Sequence, residues 1–459
     1  MNNSNPFPLV SIYVLNHNYS QYLKFAIDSC LQQSYSNIEI LLIDDGSTDE
    51  SLSIIDSLTL DNNIKVIKQQ NLGLIKSCNT AISHTHGKYI LRLDADDYLH
   101  KDAIKELVQK MEEDEEIVLV FPNYWEVDIN NTPIREVQRF NFDTEVTLFN
   151  LPSHGAVTLF RRDFLEAIGG YDESFSRQDG YFIWLKAIQD YKVSNVTKPL
   201  FYYRQHPVSL SSDKTSLLYT RSQILKKHTS TYPDLNIFSI LPVREEKLNG
   251  EIFALQPLGS KLLIDWAIES SLDSSSIHKT IVSTESKSII EYLKKNYDDE
   301  IIIHKRKLEN AFNNVGLQNT IDEVLNERLE LADYDYFLLH SIDYPLLASH
   351  FFDAAVSLAK IFHSNSIVST IDDESVFYKH DGKGIFPLEK DELRVERDIL
   401  YRKSGGVNLR LLSDYINNKK LLTNQTANLD IDQSSSLKVN SQLTLELANL
   451  YIKKFNENK

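Results

Sequence analysis

Tyr89-Ile90-Leu91-Arg92-Leu93-Asp94-Ala95-Asp96-Asp97 is the stretch whose reading decides the fold of the first half of this chain. Its apolar run, Tyr89–Leu93, reads as a buried strand, and its acidic end marks the place where that strand leaves the core. Working outward, Gly73–His84 has helical periodicity and Ile64–Lys68 reads as a strand. Ile38–Ile43 is another strand and ends in Asp44-Asp45-Gly46-Ser47. Ser47-Thr48-Asp49-Glu50 has the capping residues of a helix start. Leu9–Leu15 is a further β-branched strand, and Gln21–Gln32 a further helix. Strands alternating with helices predict a parallel sheet covered on both faces. Ligands bind such sheets at the carboxyl ends of the strands. Both acidic clusters sit at such ends, which makes them candidates for one shared site.

The remaining sequence predicts a second α/β unit. Ile237–Pro242, Lys279–Ser283, Tyr336–His340 and Ser366–Thr370 read as strands, and Lys261–Ser271 as a helix. The polar stretch Ser209–Asp234 reads as the join, and the expected domains are residues 1–232 and 233–459. A length of 459 residues fits two cores better than one. The fold class is therefore α/β, two domains, each a mainly parallel or mixed sheet sandwiched by helices. A net charge of −17 argues against a general nucleic-acid or anionic-membrane binder, and leaves room for a local basic pocket. No apolar run is long enough to span a bilayer, and the start Met1-Asn2-Asn3-Ser4-Asn5-Pro6 lacks signal-peptide character. A cytoplasmic location is expected. Cys30 and Cys78 both fall on amphipathic helices, where small buried hydrophobes are the expected reading.

A turn after the strand can bring Asp94 and Asp96 toward one cation. Mg2+ or Mn2+ takes a few carboxylates, with waters and phosphate oxygens completing the shell, and such a cation neutralises a leaving diphosphate. A solvated acidic turn is the plainer reading of Asp-x-Asp alone. The wider sequence adds Asp44-Asp45-Gly46-Ser47-Thr48-Asp49, Asn71-Leu72-Gly73, Asn79, Gly169-Gly170-Tyr171-Asp172-Glu173, Gln178-Asp179, Trp184-Leu185 and Tyr202-Tyr203-Arg204-Gln205-His206.

In that order, these motifs resemble the inverting glycosyltransferase family 2, with its GT-A fold, over residues 8–212. The resemblance implies a donor pocket lined by Asn16, Asn18 and Tyr19, with Asp45 on the base or ribose and Gly73, Asn79 and Asp94 also on the donor side. It implies Asp96 and His206 as ligands of Mn2+ or Mg2+, and Asp179 as the base that deprotonates the acceptor hydroxyl. The implied donor is a nucleotide sugar, with UDP the commonest nucleotide in the family. The implied acceptor is a glycan, a lipid-linked glycan or a protein, in surface polysaccharide or glycoprotein synthesis. A lipid-linked acceptor would place the protein peripherally at the inner face of the membrane. Family members usually carry Glu-Asp where this chain has Gln178-Asp179, so the base is kept and its acidic neighbour is lost. His154, Gly155 and Thr158 fall where the family has acceptor-side structure. Tyr124, Trp125, Tyr181 and Trp184 are candidates either for sugar stacking or for the core.

The second half carries Ile240-Leu241-Pro242-Val243-Arg244, Pro257–Ile268, Ile281-Val282-Ser283-Thr284-Glu285, Arg397–Arg402 and Ser404-Gly405-Gly406. This series is similar to the cytidylyltransferases that activate acidic sugars as CMP forms, over residues 237–455, and implies a nucleotidyltransferase-like Rossmann-type fold. Its departures fall on the chemistry. Glu245 and Glu246 stand where a phosphate loop is expected. Lys438 and Asn440 align with that family's metal-binding Asp-x-Asp, while a rival alignment uses Asp430-Ile431-Asp432. The expectation is a nucleotidyltransferase-like domain without that activity, with a homodimer contact through Arg397-Asp398 and Gly405-Gly406. A bifunctional enzyme that also makes a CMP-sugar, and a non-catalytic carbohydrate-binding or assembly protein, are the alternatives.

Overall fold

The computed structural model describes residues 7–59, 64–138, 155–206, 213–312, 314–373, 378–380, 385–387, 400–421, 423 and 426–457. The chain divides into two compact units, Met1–Asp213 and Lys214–Lys459.

The first unit runs β1 (Val10–Asn16), α1 (Ser20–Leu31), β2 (Ile38–Asp45), α2 (Ser51–Thr59), β3 (Ile64–Gln69), α3 (Leu74–His84), β4 (Tyr89–Asp94) and β5 (Tyr98–Leu99). It continues through α4 (Ala103–Met111), β6 (Ile117–Val127), β7 (Pro133–Val137), β8 (Leu159–Arg161), α5 (Arg162–Ala167), α6 (Asp179–Asp190) and β9 (Lys192–Arg204). The sheet order is β3-β2-β1-β4-β8-β6-β9-β5, with β7 on β6. Strand β1 shows why it is covered on both sides. Val10, Ile12 and Val14 pack in one buried cluster with Leu23 and Ile27 of α1 and Leu107 of α4. Tyr13 and Leu15 point the other way, into a cluster with Cys78 of α3, Phe164 of α5 and Trp184 of α6. The alternation follows from the two-residue period of a strand, and each buried aliphatic side chain contributes roughly 1.5–3 kcal/mol.

The parallel expectation holds for β3, β2, β1 and β4. Beyond them the sheet is mixed, because β8 lies antiparallel between β4 and β6, and β5 antiparallel against β9. Cys30 and Cys78 are both buried, and burial pushes the Cys30 thiol up to about 12. Trp184 and Tyr124 are core residues, with Trp184 against Phe121 at a ring separation of 6.1 Å.

The second unit opens with α7 (Lys214–His228), from the polar stretch expected as the join, followed by β10 (Ile237–Pro242). Two small hairpins come next, β11 (Lys247–Leu248) with β12 (Glu251–Ile252) and β13 (Pro257–Leu258) with β14 (Lys261–Leu262). Then follow α8 (Leu263–Leu272), β15 (Lys279–Thr284), α9 (Lys287–Tyr297), β16 (Ile302–Lys305), α10 (Leu317–Glu327), β17 (Tyr336–Leu339), α11 (His350–Phe362) and β18 (Ser366–Asp373). The chain continues through β19 (Tyr378–His380), β20 (Ile385–Pro387), β21 (Leu400–Leu411), α12 (Leu412–Asn418), β22 (Thr426–Asp430) and α13 (Gln442–Glu457). The main sheet has the order β16-β15-β10-β17-β21-β18-β22. Its β16, β15, β10 and β17 are parallel, and β21 runs antiparallel to both neighbours. Leu241 of β10 packs with α8, α9 and α13 residues, while Phe238 and Ile240 pack with α10 and α12 residues, so this sheet too is covered on both faces. Among the described residues, no helix is long and apolar enough to cross a membrane.

Candidate functional site

Strand register brings the acidic clusters of the first unit to one edge. Leu15 of β1 pairs with Asp94 of β4, Asn16 with Asp44 of β2, and Asp45 with Gln69 of β3. Four parallel strands therefore end side by side, and their loops carry the polar residues.

At the end of β4, residues 94–97 form a turn closed by Asp97 N–H donating to the Asp94 carbonyl at 3.0 Å. Asp96 turns its carboxylate to His206, with 2.9 Å between Oδ2 and Nε2. Both side chains are largely buried, and Tyr19 packs edge-on against the His206 ring. Burial first, then the charges of Asp96, Asp94 and Asp97, hold the Tyr19 phenol well above its ordinary range. The phenol therefore stays neutral. Tyr19, Asp94, Asp96 and His206, all expected at the site, are thus neighbours. Two ligands in adjacent octahedral positions of Mg2+, each at 2.0–2.1 Å, lie about 2.9 Å apart. The spacing of Asp96 and His206 fits that geometry, and a carboxylate with an imidazole is a donor set that suits Mn2+.

Three residues without a role in the sequence reading hold this turn. Arg92 is buried in β4, two residues before Asp94 and so on the same face, and its Nε lies 3.1 Å from Asp94 Oδ1. Arg204 donates from Nε to the Asp96 carbonyl at 2.8 Å and from its backbone N–H to Asp97 Oδ1 at 2.9 Å. Its guanidinium also covers the Tyr22 ring at 4.3 Å. Asp97 is buried, and burial together with Asp96 and Asp94 raises its carboxyl well above the usual range. An arginine inside an otherwise apolar strand, Leu91-Arg92-Leu93, was the available signal for the first of these.

The neighbouring loops form a second network. Asn16 donates from Nδ2 to Asp44 Oδ1 at 2.8 Å, and Ser47 Oγ donates to the same oxygen at 2.6 Å. Asn18, with φ of 63°, accepts on Oδ1 from Thr48 N–H at 2.7 Å. Asp45 accepts from Gln69 Nε2 and Leu72 N–H on Oδ1, both at 2.8 Å, and from Gly73 N–H on Oδ2 at 2.9 Å. Asp45 thereby fixes the loop before α3, with lone-pair capacity left over, since a carboxylate accepts about four hydrogen bonds. Asp49 joins two helix starts, accepting Ser20 N–H on Oδ2 and Ser51 N–H on Oδ1, each at 2.9 Å. Burial raises its pKa, but these hydrogen bonds outweigh it and bring it to about 2.

Gly46 is required by this packing. Its φ is +76°, and an added Cβ would stand 2.7 Å from the backbone nitrogen of Asn71. Gly46→Ala combines a left-handed backbone with a backbone clash, and we expect it to cost about 3 kcal/mol. A urea midpoint unchanged from wild type would contradict this.

Asn79 stands in α3. It donates from Nδ2 to the Tyr171 carbonyl at 2.9 Å and accepts Tyr171 N–H at 2.9 Å, so it clamps the Gly169-Gly170 turn onto α3. Asp179 is the first residue of α6 and follows Gln178, whose φ is 58°. Thr158 is buried. His154 and the pair Arg397-Asp398 lie outside the described residues.

The sequence model of "Glycosyl transferase family 2" matches residues 11–169, which hold the ends of β1 to β4 and the 94–97 turn, while Arg204 and His206 lie beyond the match. An uncharacterized glycosyltransferase of Haemophilus influenzae is 30% identical over 234 residues, covering 47% of this chain and 70% of that protein. The chain belongs to glycosyl transferase family 2. Among other relatives of this family 2 chain, the hyaluronan synthase of Pasteurella multocida is 35% identical over 118 residues. That match covers 26% of this chain and only 12% of the synthase. Among solved structures, residues 1–349 of S. aureus TarS in complex with UDP-GlcNAc match with 17% identity and a TM-score of 0.41. That alignment covers 48% of this chain and 66% of the other.

The second unit of this family 2 protein has a cleft of about 290 Å³, lined by Arg244, Glu246, His340, Asp343, Lys403 and Asn408 among others. Glu246 faces it, whereas Glu245 accepts from Ser286 Oγ at 2.6 Å. Asp343 has the Lys438 ammonium 3.5 Å from its Oδ2, so a lysine stands against the carboxylate that lines the cleft. Asp430 and Asp432 are engaged elsewhere. Asp430 accepts from Thr370 and Asn428, and Asp432 from Ser434 and Ser435.

His340 at the cleft is buried, and burial alone pushes its imidazole down to about 3. The unfolded chain then takes up a proton near pH 6.5 that the folded chain refuses. The stabilising contribution is present above that pH and is lost as pH falls toward 3, by up to about 1.4 kcal/mol per pH unit. His340→Gln is expected to flatten this acid limb in denaturation curves taken at pH 7, 6 and 5. Equal slopes for both proteins would remove the assignment.

Proposed function

We propose that the first unit is a metal-dependent inverting glycosyltransferase that moves a sugar from a nucleoside-diphosphate donor, a UDP-sugar by preference, to a hydroxyl acceptor. The observation that carries this reading is the 2.9 Å pairing of Asp96 with His206 beside Tyr19, at the carboxyl edge of the sheet. Asp96 and His206 would hold Mn2+ or Mg2+, with Asp94 beside them. The cation supplies charge for the departing diphosphate.

The chain's own residues do the rest. Asn16, Asn18, Asp45 and Gly73 form the loops on which the nucleoside rests. Tyr19 stays protonated and places its ring edge-on against His206 at the metal edge. Asp179 takes the proton of the acceptor hydroxyl as that oxygen bonds to the anomeric carbon, while the bond from that carbon to the diphosphate oxygen breaks on the opposite face. One displacement inverts the configuration, and no second carboxylate is needed as a nucleophile. Surface polysaccharide or glycoprotein synthesis fits this chemistry, with a glycan, lipid-linked glycan or protein as acceptor.

For the second unit we favour a nucleotidyltransferase-like scaffold without that activity, over a bifunctional CMP-sugar-forming enzyme. The Lys438 ammonium beside Asp343 supports this choice, because it occupies with a fixed charge the carboxylate that a divalent cation would need.

The test is nucleoside diphosphate release from a panel of nucleotide sugars with acceptor glycans, with Mn2+ or Mg2+ and with chelator. Metal-dependent release from one donor supports the transferase reading. Donor binding without release under any condition would favour the non-catalytic carbohydrate-binding alternative.

A further inference from the structure

Within the second unit, His304 of β16 faces two glutamates of α10. Glu323 and Glu327 are four residues apart, so they rise on one face of that helix. One ligand atom from each of the three residues lies within 4.8 Å of the other two. The His304 side chain is 1% exposed, and its Nε2 has no hydrogen-bond partner among the described residues. The nearest carboxylate oxygen is Glu327 Oε2 at 3.3 Å.

We propose that His304, Glu323 and Glu327 bind one Zn2+ ion, with a water in the fourth position. Zinc takes imidazole nitrogen at 2.0–2.1 Å and carboxylate oxygen at 2.0–2.2 Å in a tetrahedron, so neighbouring ligand atoms sit about 3.3–3.5 Å apart. The His304–Glu327 spacing falls at that separation.

The surroundings orient the ligands as a zinc site requires. His304 Nδ1 lies 2.9 Å from Ser283 Oγ. With Nδ1–H donating there, the Nε2 lone pair faces the carboxylates, an arrangement that is repulsive until a cation lies between them. Glu323 is held by Lys307 N–H on Oε1 at 2.9 Å and by Asn310 Nδ2 on Oε2 at 2.6 Å, each oxygen keeping a lone pair. The nearby Arg306 donates from Nη2 to Glu285 and to the Val243 carbonyl, while its Nε and Nη1 have no hydrogen-bond partner among the described residues. The ion would tie the edge strand β16 to α10, whose first residue, Leu317, lines the cleft.

Co2+ as an optical stand-in, displaced by Zn2+, tests this on the full chain. Wild type and Asp96→Asn should both show the intense visible bands of a four-coordinate Co2+ ion, and Zn2+ should remove them. Glu327→Gln, at a half-exposed position, should stay folded by circular dichroism and weaken Co2+ binding at least ~10-fold. Wild type without four-coordinate bands, or Glu327→Gln with unchanged bands, would overturn the site. Bands lost in Asp96→Asn but kept in Glu327→Gln would overturn it as well, by assigning the ion to the first unit.

Discussion

Asp96→Asn should abolish metal-dependent donor binding and lower the transfer rate by about 1,000-fold or more, near 4 kcal/mol of transition-state stabilisation. The carboxylate is one of two side chains paired at 2.9 Å, and an amide is the weaker ligand. The fold should survive, because Arg204 anchors the turn through the main-chain oxygen of residue 96 rather than through its side chain. The check is a calorimetric titration with UDP and Mn2+ beside a transfer assay and a melting curve. Unchanged UDP affinity in Mn2+, with transfer intact, would remove Asp96 from the metal site.

Asp179→Asn should separate the two halves of the reaction. The proposed donor and metal residues end or follow β1, β2, β3, β4 and β9 rather than lying on α6, so donor affinity should stay within about twofold of wild type. Transfer should fall by about 100-fold to 10,000-fold, the usual contribution of a positioned general base. A near-normal transfer rate in this variant would place the base elsewhere. A matching loss of donor affinity would instead make Asp179 a donor-site residue.

The edge of the first sheet was legible because its signals are local. Apolar runs ending in Asp44-Asp45 and in Asp94-Ala95-Asp96 mark strand ends, and parallel register then aligns them without further information. The partners of these acids were not legible, since they arrive from far along the chain. Arg204 is more than a hundred residues from the Asp96 and Asp97 it secures, and nothing near it in sequence names that partner. Asn79 is a second such case: its place in a family-like motif implies the donor side, and its hydrogen bonds to the backbone of Tyr171, far along the chain, come only from the fold. The mixed half of the sheet escaped for a simpler reason. Strand β8 has three residues, too few to carry a periodicity, yet it sets the direction change between β4 and β6. In the second unit, the Lys438 substitution was visible as a departure from an aligned motif, but only the fold brings its ammonium to Asp343.

Asp49 holds the first amides of α1 and α2 on its two oxygens. One helix follows the loop carrying Asn18 and Tyr19, and the other follows the Asp44–Ser47 turn. The two amides should therefore share a single opening event in hydrogen exchange and protect or exchange together. Since the carboxyl protonates only near pH 2, that shared latch would stay closed throughout the neutral range. Loosening on the nucleoside side would then be felt within the same cooperative unit by Tyr19, one residue before α1.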